Sequence, residues 1–364
     1  MSVLAISFLV SLLTTLWIAR NNHIHGKFSA DSDINGIQKF HTRVVPRIGG
    51  LGILFGLLSA LLARRFENEA VGNFGLLLFV SALPVFLSGF LEDVTKKIGV
   101  KFRLIASFIA AGIAGHLLGG WLTSVQLFGI DNLMLAYPVF AIGITCFAVA
   151  GVANAFNIID GYNGLSSMVA IIILCGLTYV AFQVGDHQIM IAALALIGAI
   201  LGFLVWNYPR GLIFLGDGGA YLIGFWIAEL SVLLTARHAE VSKWFPLLLC
   251  IYPIFETLFT IYRRVILKRS HPGMPDASHL HQLIYRRVVR WGDNGSDTQK
   301  QTYRNSMTSP YLWLLCLFAV IPAVLFWRYH LILKGFVLLF AITYAWIYWS
   351  IVRHKVPAFL ISRK

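Results

Sequence analysis

Charge is what this chain has least of. Only 16 of its 364 residues are Asp or Glu, and charged residues of both signs make up 12%, roughly half the share typical of a soluble domain. That scarcity excludes a conventional water-soluble core of this length. Cysteine is scarce too. Cys146, Cys175, Cys250 and Cys316 all lie in apolar runs at no metal-like spacing, which argues against a disulfide framework or a zinc site and for small buried apolar residues. There is no tandem repeat, no low-complexity tract and no segment polar and long enough for a separate soluble domain. What is abundant is apolar: 58% of the residues, with a mean hydropathy of +0.76. The composition implies an all-α polytopic membrane protein, organised as one integral membrane domain over residues 1–364.

A helix needs roughly 20 apolar residues to cross the hydrocarbon of a bilayer. Eleven stretches qualify: Met1–Ala19, Ile48–Ala63, Asn73–Leu91, Phe102–Gly119, Met134–Gly151, Leu165–Val184, Gln188–Val205, Gly218–Ala236, Trp244–Tyr262, Pro310–Trp327 and Leu331–Val352. The first lacks a basic n-region and a small-residue cleavage site, so it is expected to stay as a span. Lys and Arg divide unevenly between the two sets of connections. Those at 20–47, 96–103, 210, 263–304 and 353–364 carry 23, and the alternate set carries six. The positive-inside rule then sets the N-terminus outside, the C-terminus in the cytoplasm, and the larger basic set on the cytoplasmic face. The net charge of +13 is thereby explained by topology rather than by nucleic-acid binding. The largest cytoplasmic loop, 263–309, holds an amphipathic piece, His279–Trp291, suited to the membrane surface.

The orientation rests on Lys and Arg alone, yet the polar motifs all fall on the same face. An adjacent acidic pair, Glu92 and Asp93, ends the third span. Two carboxylates there repel one another and cost desolvation, which a divalent cation or a nearby base would offset; a solvated helix end is the plainer alternative. In N-A-F-N-I-I-D-G-Y-N-G, Asn154, Asn157 and Asp160 recur every three residues, which places them on one helical stripe. Such a stripe lines a cavity or pairs with neighbouring helices, and Gly161 and Gly164 permit a break beside it. Asp217, in F-L-G-D-G-G, sits at a helix start, where it serves as an N-cap or as a metal ligand approached by phosphate. Asn207 lies just upstream. His271, His279 and His281 follow in the last large loop. With no cysteine nearby they suit donation to phosphate better than zinc; a simple surface loop is the plainer alternative. Arg43 and Arg47, with Lys101 and Arg103, are positioned to neutralise a diphosphate or simply to anchor the membrane border.

Carboxylates, amides, imidazoles and guanidinium groups gathered at one membrane border suit Mg²⁺-assisted phosphoryl chemistry on a lipid. At these residues the sequence resembles the polyprenyl-phosphate N-acetylhexosamine-1-phosphate transferases. That family includes initiating enzymes of O-antigen (lipopolysaccharide), common-antigen and teichoic-acid linkage synthesis, and the phospho-MurNAc-pentapeptide translocase. The resemblance runs from about His41 to Arg287 and rests on five motifs in family order: H-T-R-V-V-P-R-I-G-G, the acidic pair, N-A-F-N-I-I-D-G-Y-N-G, F-L-G-D-G-G and H-L-H. It implies transfer of a sugar-1-phosphate from a UDP-sugar to undecaprenyl phosphate in the bacterial inner membrane, with Mg²⁺, or Mn²⁺ in its place, and release of UMP. By motif, Asp217 and Asp160 are the implied metal and catalytic carboxylates. Asp93 with Glu92 is the implied metal or proton-abstracting pair. His279 and His281 would hold the nucleotide diphosphate, and Asn207 would sit near the uridine. The family usually shows two aspartates where this chain has Glu92–Asp93, which leaves the individual role of Glu92 open. A homodimer is compatible with this reading.

Rival classes are a secondary transporter, for which the acids Glu229 and Glu256 inside apolar runs would speak, a CDP-alcohol phosphotransferase and an inactive scaffold. Transporter sites lie near the bilayer midplane, whereas these motifs gather at one face. The D-G-x-x-A-R pattern of the second rival fails after Asp160-Gly161.

Overall fold

The computed structural model describes residues 2–21, 26, 30–31, 45–267, 278–289 and 297–353. Helix dominates, as a bilayer demands, because each backbone polar group there must be satisfied within its own segment. In chain order the helices are α1 (Ser2–Arg20), α2 (Gly50–Glu67), α3 (Glu69–Thr95), α4 (Val100–Leu118), α5 (Ile130–Ala136), α6 (Pro138–Ile159), α7 (Leu165–Gln183), α8 (His187–Asn207), α9 (Gly216–Arg237), α10 (Trp244–Leu249), α11 (Ile251–Tyr262), α12 (Leu280–Arg287), α13 (Asp297–Leu325) and α14 (His330–Val352). A π-helical turn, Arg263–Leu267, continues α11. Strands β1 (Ala30–Asp31) and β2 (Val45–Pro46) form one short antiparallel pair.

Among the described residues, nine helices are long and apolar enough to cross a membrane. The other two expected spans are present in altered form. Helix α2 has 18 residues and ends in Arg64, Arg65 and Glu67. The stretch Trp244–Tyr262 is broken at Cys250 into α10 and α11, because Pro253 has no N–H to return to residue 249. Two boundaries differ from expectation with consequences for the polar motifs. Helix α6 starts at Pro138, a residue suited to a first helical turn, and runs to Ile159, so Asn154 and Asn157 ride on the helix instead of following it. Helix α13 begins at Asp297, so the loop expected over 263–309 is largely helical wherever it is described.

Lipid-like surroundings supply no hydrophobic drive between helices, so close packing of small residues must hold the bundle. Helix α1 lies against α2 and α8 in this way. A Cβ added at Gly56 would come within 2.6 Å of Ser7 O, and Ser11 Oγ donates to Ala199 O at 2.7 Å. Helix α9 is the hub. Nineteen of its 22 residues are buried, packed by α2, α3, α4, α6, α7 and α8. The outward surface is apolar, with Leu13, Trp17, Val139, Phe147 and Leu331 all exposed, as a lipid-facing perimeter should be. The turns at 96–99, 160–164 and 208–215 all open at the same end of this bundle, where α9 begins.

Candidate active site

The site is built where α9 starts. The segment from Pro46 to Gly50 runs beside Phe214 and Leu215. Phe214 N–H donates to Pro46 O at 2.9 Å, Gly49 N–H to Phe214 O at 3.0 Å, and Gly50 N–H to Leu215 O at 2.9 Å. This pairing carries Arg47 to the head of α9. Gly216 has a φ of +76°, and a Cβ there would collide with Arg47 O and lie 2.6 Å from Asp93 Oδ2. Only glycine meets both the conformation and the space.

Asp93, in the last turn of α3, points straight into this junction. Its Oδ1 accepts from Asp217 N–H at 2.8 Å and its Oδ2 from Gly218 N–H at 2.9 Å. The side chain is 1% exposed, and Arg47 Nε lies 4.0 Å away. A carboxylate here satisfies two of the orphan N–H groups of α9 and meets the positive end of its dipole. Its neighbour Glu92 turns away, accepting from Ile98 N–H at 2.6 Å through Oε2. The two carboxylates therefore engage different partners: one caps α9, the other caps the turn after α3.

Asp217 is the acid left facing the opening. Asn157 Nδ2 donates to its Oδ1 at 2.9 Å, Arg47 Nη2 stands 3.6 Å away, and Arg103, nearly buried, is ion-paired to its Oδ2. Arg103 also lies over the Tyr221 ring, 5.6 Å from its centroid, and Tyr221 Oη donates to Asn154 Oδ1 at 2.9 Å. The Asn154–Asn157–Asp160 stripe is thus real, and each amide on it has a partner from α9. Asp160, capping the end of α6, is partly buried. Burial pushes its carboxyl up to about 7, against the opposing pull of Arg47.

The turn after Asp160 is fastened from two sides. Asn207 Oδ1 accepts from Gly164 N–H at 2.7 Å and its Nδ2 donates to Ile213 O at 2.8 Å. Both ends of that amide are engaged by backbone, so Asn207 holds two turns in register, with one further donor and one further acceptor position left on the amide. From α13, Asn305 Oδ1 accepts from Asn163 N–H at 2.9 Å and Ser309 Oγ donates to Asn163 O at 2.7 Å.

The histidines reach the same turn. A Cβ on Gly161 would lie 3.1 Å from His281 Nε2, and the Tyr162 ring meets the His281 ring edge-on at 5.4 Å. His281 is buried, and its Nδ1 has no hydrogen-bond partner among the described residues. Burial, seconded by His279, drives its imidazole down to about 3, so it is neutral. His279 stacks on it with centroids 5.1 Å apart and planes 4° from parallel. Lys101 is exposed in the first turn of α4. Arg43 and His271 lie outside the described residues. Sequence reasoning did not identify Tyr221, Asn163 or Asn305. No local pattern marks them, since each acts across more than 60 positions.

Among the described residues, no three His, Cys, Asp or Glu side chains are disposed to ligate one ion together. The available donors are the carboxylates of Asp217 and Asp160, with Asp93 committed to backbone. Mg²⁺ is commonly held by one or two carboxylates, with water and substrate phosphate completing its shell. The donor set fits that mode and does not fit a closed, all-protein metal site.

The model of the family described as "Glycosyl transferase family 4" matches residues 75–235. A probable undecaprenyl-phosphate N-acetylglucosaminyl 1-phosphate transferase of Bacillus subtilis is 31% identical over 291 residues, 77% of each chain. An undecaprenyl-phosphate α-N-acetylglucosaminyl 1-phosphate transferase of Thermotoga maritima is 28% identical over 70% of this chain and 72% of its own. A phospho-N-acetylmuramoyl-pentapeptide-transferase of Streptococcus pneumoniae is 34% identical over 58% of this chain and 64% of its own. The family match takes in Asp93, Arg103, Asp160 and Asp217, the side chains the fold gathers at the head of α9, and the Bacillus relative is shared over most of both lengths: this chain belongs to glycosyl transferase family 4.

Proposed function

We propose that the protein transfers a sugar-1-phosphate, most simply that of an N-acetylhexosamine, from a UDP-sugar to undecaprenyl phosphate, and so starts a cell-surface polysaccharide. The observation that carries this reading is the convergence of Asp160, Asp217, Arg47 and Arg103 around the head of α9, at one end of an apolar bundle. A water-soluble donor and a lipid acceptor meet only at such a border. The excess of Lys and Arg on the connections at that end makes it the cytoplasmic face.

An oxygen of the lipid phosphate attacks the sugar-bearing phosphorus of the donor. The bond from that phosphorus to the bridging oxygen breaks, and UMP leaves with the electron pair. Arg47 and Arg103, now spent on Asp217, are the groups that receive phosphate oxygens and spread the developing charge. Without a cation, burial keeps the Asp160 carboxyl protonated up to about pH 7, and it would give up that proton on binding one. Asp217 and Asp160 would hold Mg²⁺, which would neutralise the transferring phosphoryl group and its leaving group. Asp93 keeps the N–H groups of α9 aligned beneath the site.

The test is UMP release by purified protein in detergent with undecaprenyl phosphate, Mg²⁺ and a panel of UDP-sugars, including UDP-GlcNAc, UDP-GalNAc and deoxy amino-sugar derivatives. UMP that depends on lipid and on one donor is the expected result. No UMP with any donor, from folded protein, refutes the reading.

A further inference from the structure

Two buried acids, Glu229 and Glu256, stand apart from the head of α9, and of these Glu256 has partners on both oxygens. Glu256 sits on α11 with its side chain wholly inside the protein. A buried carboxylate persists only where its oxygens are well supplied with donors, and here they are. His279 Nδ1 lies 3.1 Å from Oε1, Leu280 N–H donates to the same oxygen at 3.1 Å, and Tyr344 Oη donates to Oε2 at 2.6 Å. Three separate elements, α11, α12 and α14, are joined at this one side chain.

Its effect on His279 is specific. With a carboxylate against Nδ1, that nitrogen carries a proton, which Thr260 Oγ1, 3.2 Å away, shares. Nε2 is then the ring nitrogen left to face a ligand, and it donates to a phosphate oxygen when it too carries a proton, with Glu256 as the counter-charge. His279 N–H is held in turn by Gln282 Oε1 at 3.1 Å, so the backbone of the N-cap cannot swing the ring away. The stacked His281 is different in kind: buried deeper, with its Nδ1 unpartnered among the described residues. The two histidines of H-L-H are thus unequal. One is oriented by an acid, and the other is a neutral platform against Gly161 and Tyr162.

We infer that Glu256 is a positioning residue: it holds the proton on His279 Nδ1, fixes the direction of the ring and supplies the counter-charge for the imidazolium whose Nε2–H, and not His281, donates to the diphosphate of the nucleotide donor. Tyr344 secures the far oxygen of Glu256 and makes α14 part of the same support. This inference rests on the functional reading given above for the identity of the ligand.

The test is a double-mutant comparison in the full-length protein, with two readouts: kcat and KM for UMP release, and the Kd of UDP by calorimetry. E256Q preserves shape and removes the charge. It is expected to lower kcat/KM by about tenfold or more and to raise the UDP Kd, as loss of a carboxylate behind a working imidazole does. In an H279A background the same substitution is expected to change either quantity by less than about twofold, because its effect acts through His279. Y344F is expected to show a smaller loss with the same dependence on His279. E256Q within twofold of wild type, or an equal loss in both backgrounds, overturns the inference. If E256Q does not purify as a monodisperse protein, the Y344F pair decides by the same criterion. If wild-type protein releases no UMP with any donor, the functional reading fails, and the UDP Kd values still decide the coupling between Glu256 and His279.

Discussion

Asp93→Asn separates a cap from a proton acceptor. The substitution keeps the shape of Asp93, but only one of the two terminal atoms of the amide accepts a hydrogen bond. Whichever way the amide turns, either Asp217 N–H or Gly218 N–H, now bonded at 2.8 and 2.9 Å, faces an NH₂ group. Losing a hydrogen bond to a charged acceptor costs about 1.5–3 kcal/mol, and losing a negative charge at a helix N-terminus costs about 0.3–2 kcal/mol. Relief of repulsion between Asp93 and Asp160 and easier burial of a neutral group act in the other direction. The net expectation is a destabilisation of about 1–3 kcal/mol, together with lost turnover as the head of α9 shifts. Three of the four cysteines are buried, so a thiol-reactive dye reports unfolding in detergent directly. A D93N protein with the wild-type midpoint refutes the capping argument. If that protein is also inactive, Asp93 is a proton acceptor or metal ligand instead.

Asp217→Asn is expected to lower UMP release at least a hundredfold, about 2.7 kcal/mol in the barrier, with the protein still inserted and monodisperse; near-normal rates would remove Asp217 from the site. Asp160, raised to about 7, is protonated in the folded protein from the ordinary carboxylate range up to that pH. It therefore costs stability as pH rises through that window, while its ionised form accumulates. The unfolding midpoint of Asp160→Asn, measured without divalent cation, should fall less between about pH 5 and 8 than that of wild type; equal falls in the two proteins contradict the burial of the Asp160 carboxyl. Glu92→Asp should retain activity within about tenfold, since Glu92 caps a turn away from the acids of the site; a hundredfold loss would place Glu92 in the chemistry.

Much of this architecture was legible because solvent writes it locally. The apolar runs, the uneven Lys and Arg counts and the three-residue spacing of Asn154, Asn157 and Asp160 are responses to lipid, to membrane orientation and to one helical stripe. None requires knowledge of a distant residue. The boundaries were less legible where a helix runs on past its apolar stretch, as α6 does through Asn154 and Asn157, since hydrogen bonding to other helices replaces hydrocarbon there. Glu256 stood out as an acid in an apolar run, but its partners did not.

The sequence by itself determined that this is a helical membrane protein with its acids, amides and histidines at one border. Tertiary structure alone decided what each of them touches. Adjacent in sequence, Glu92 and Asp93 were indistinguishable until Asp93 was found bonded to backbone 124 and 125 positions away. His279 and His281 looked equivalent until Glu256 and Tyr344 singled out one of them. The reason is physical: composition and period report how a segment meets its solvent, whereas a hydrogen bond reports which two atoms the whole packed bundle has brought within about 3 Å of each other.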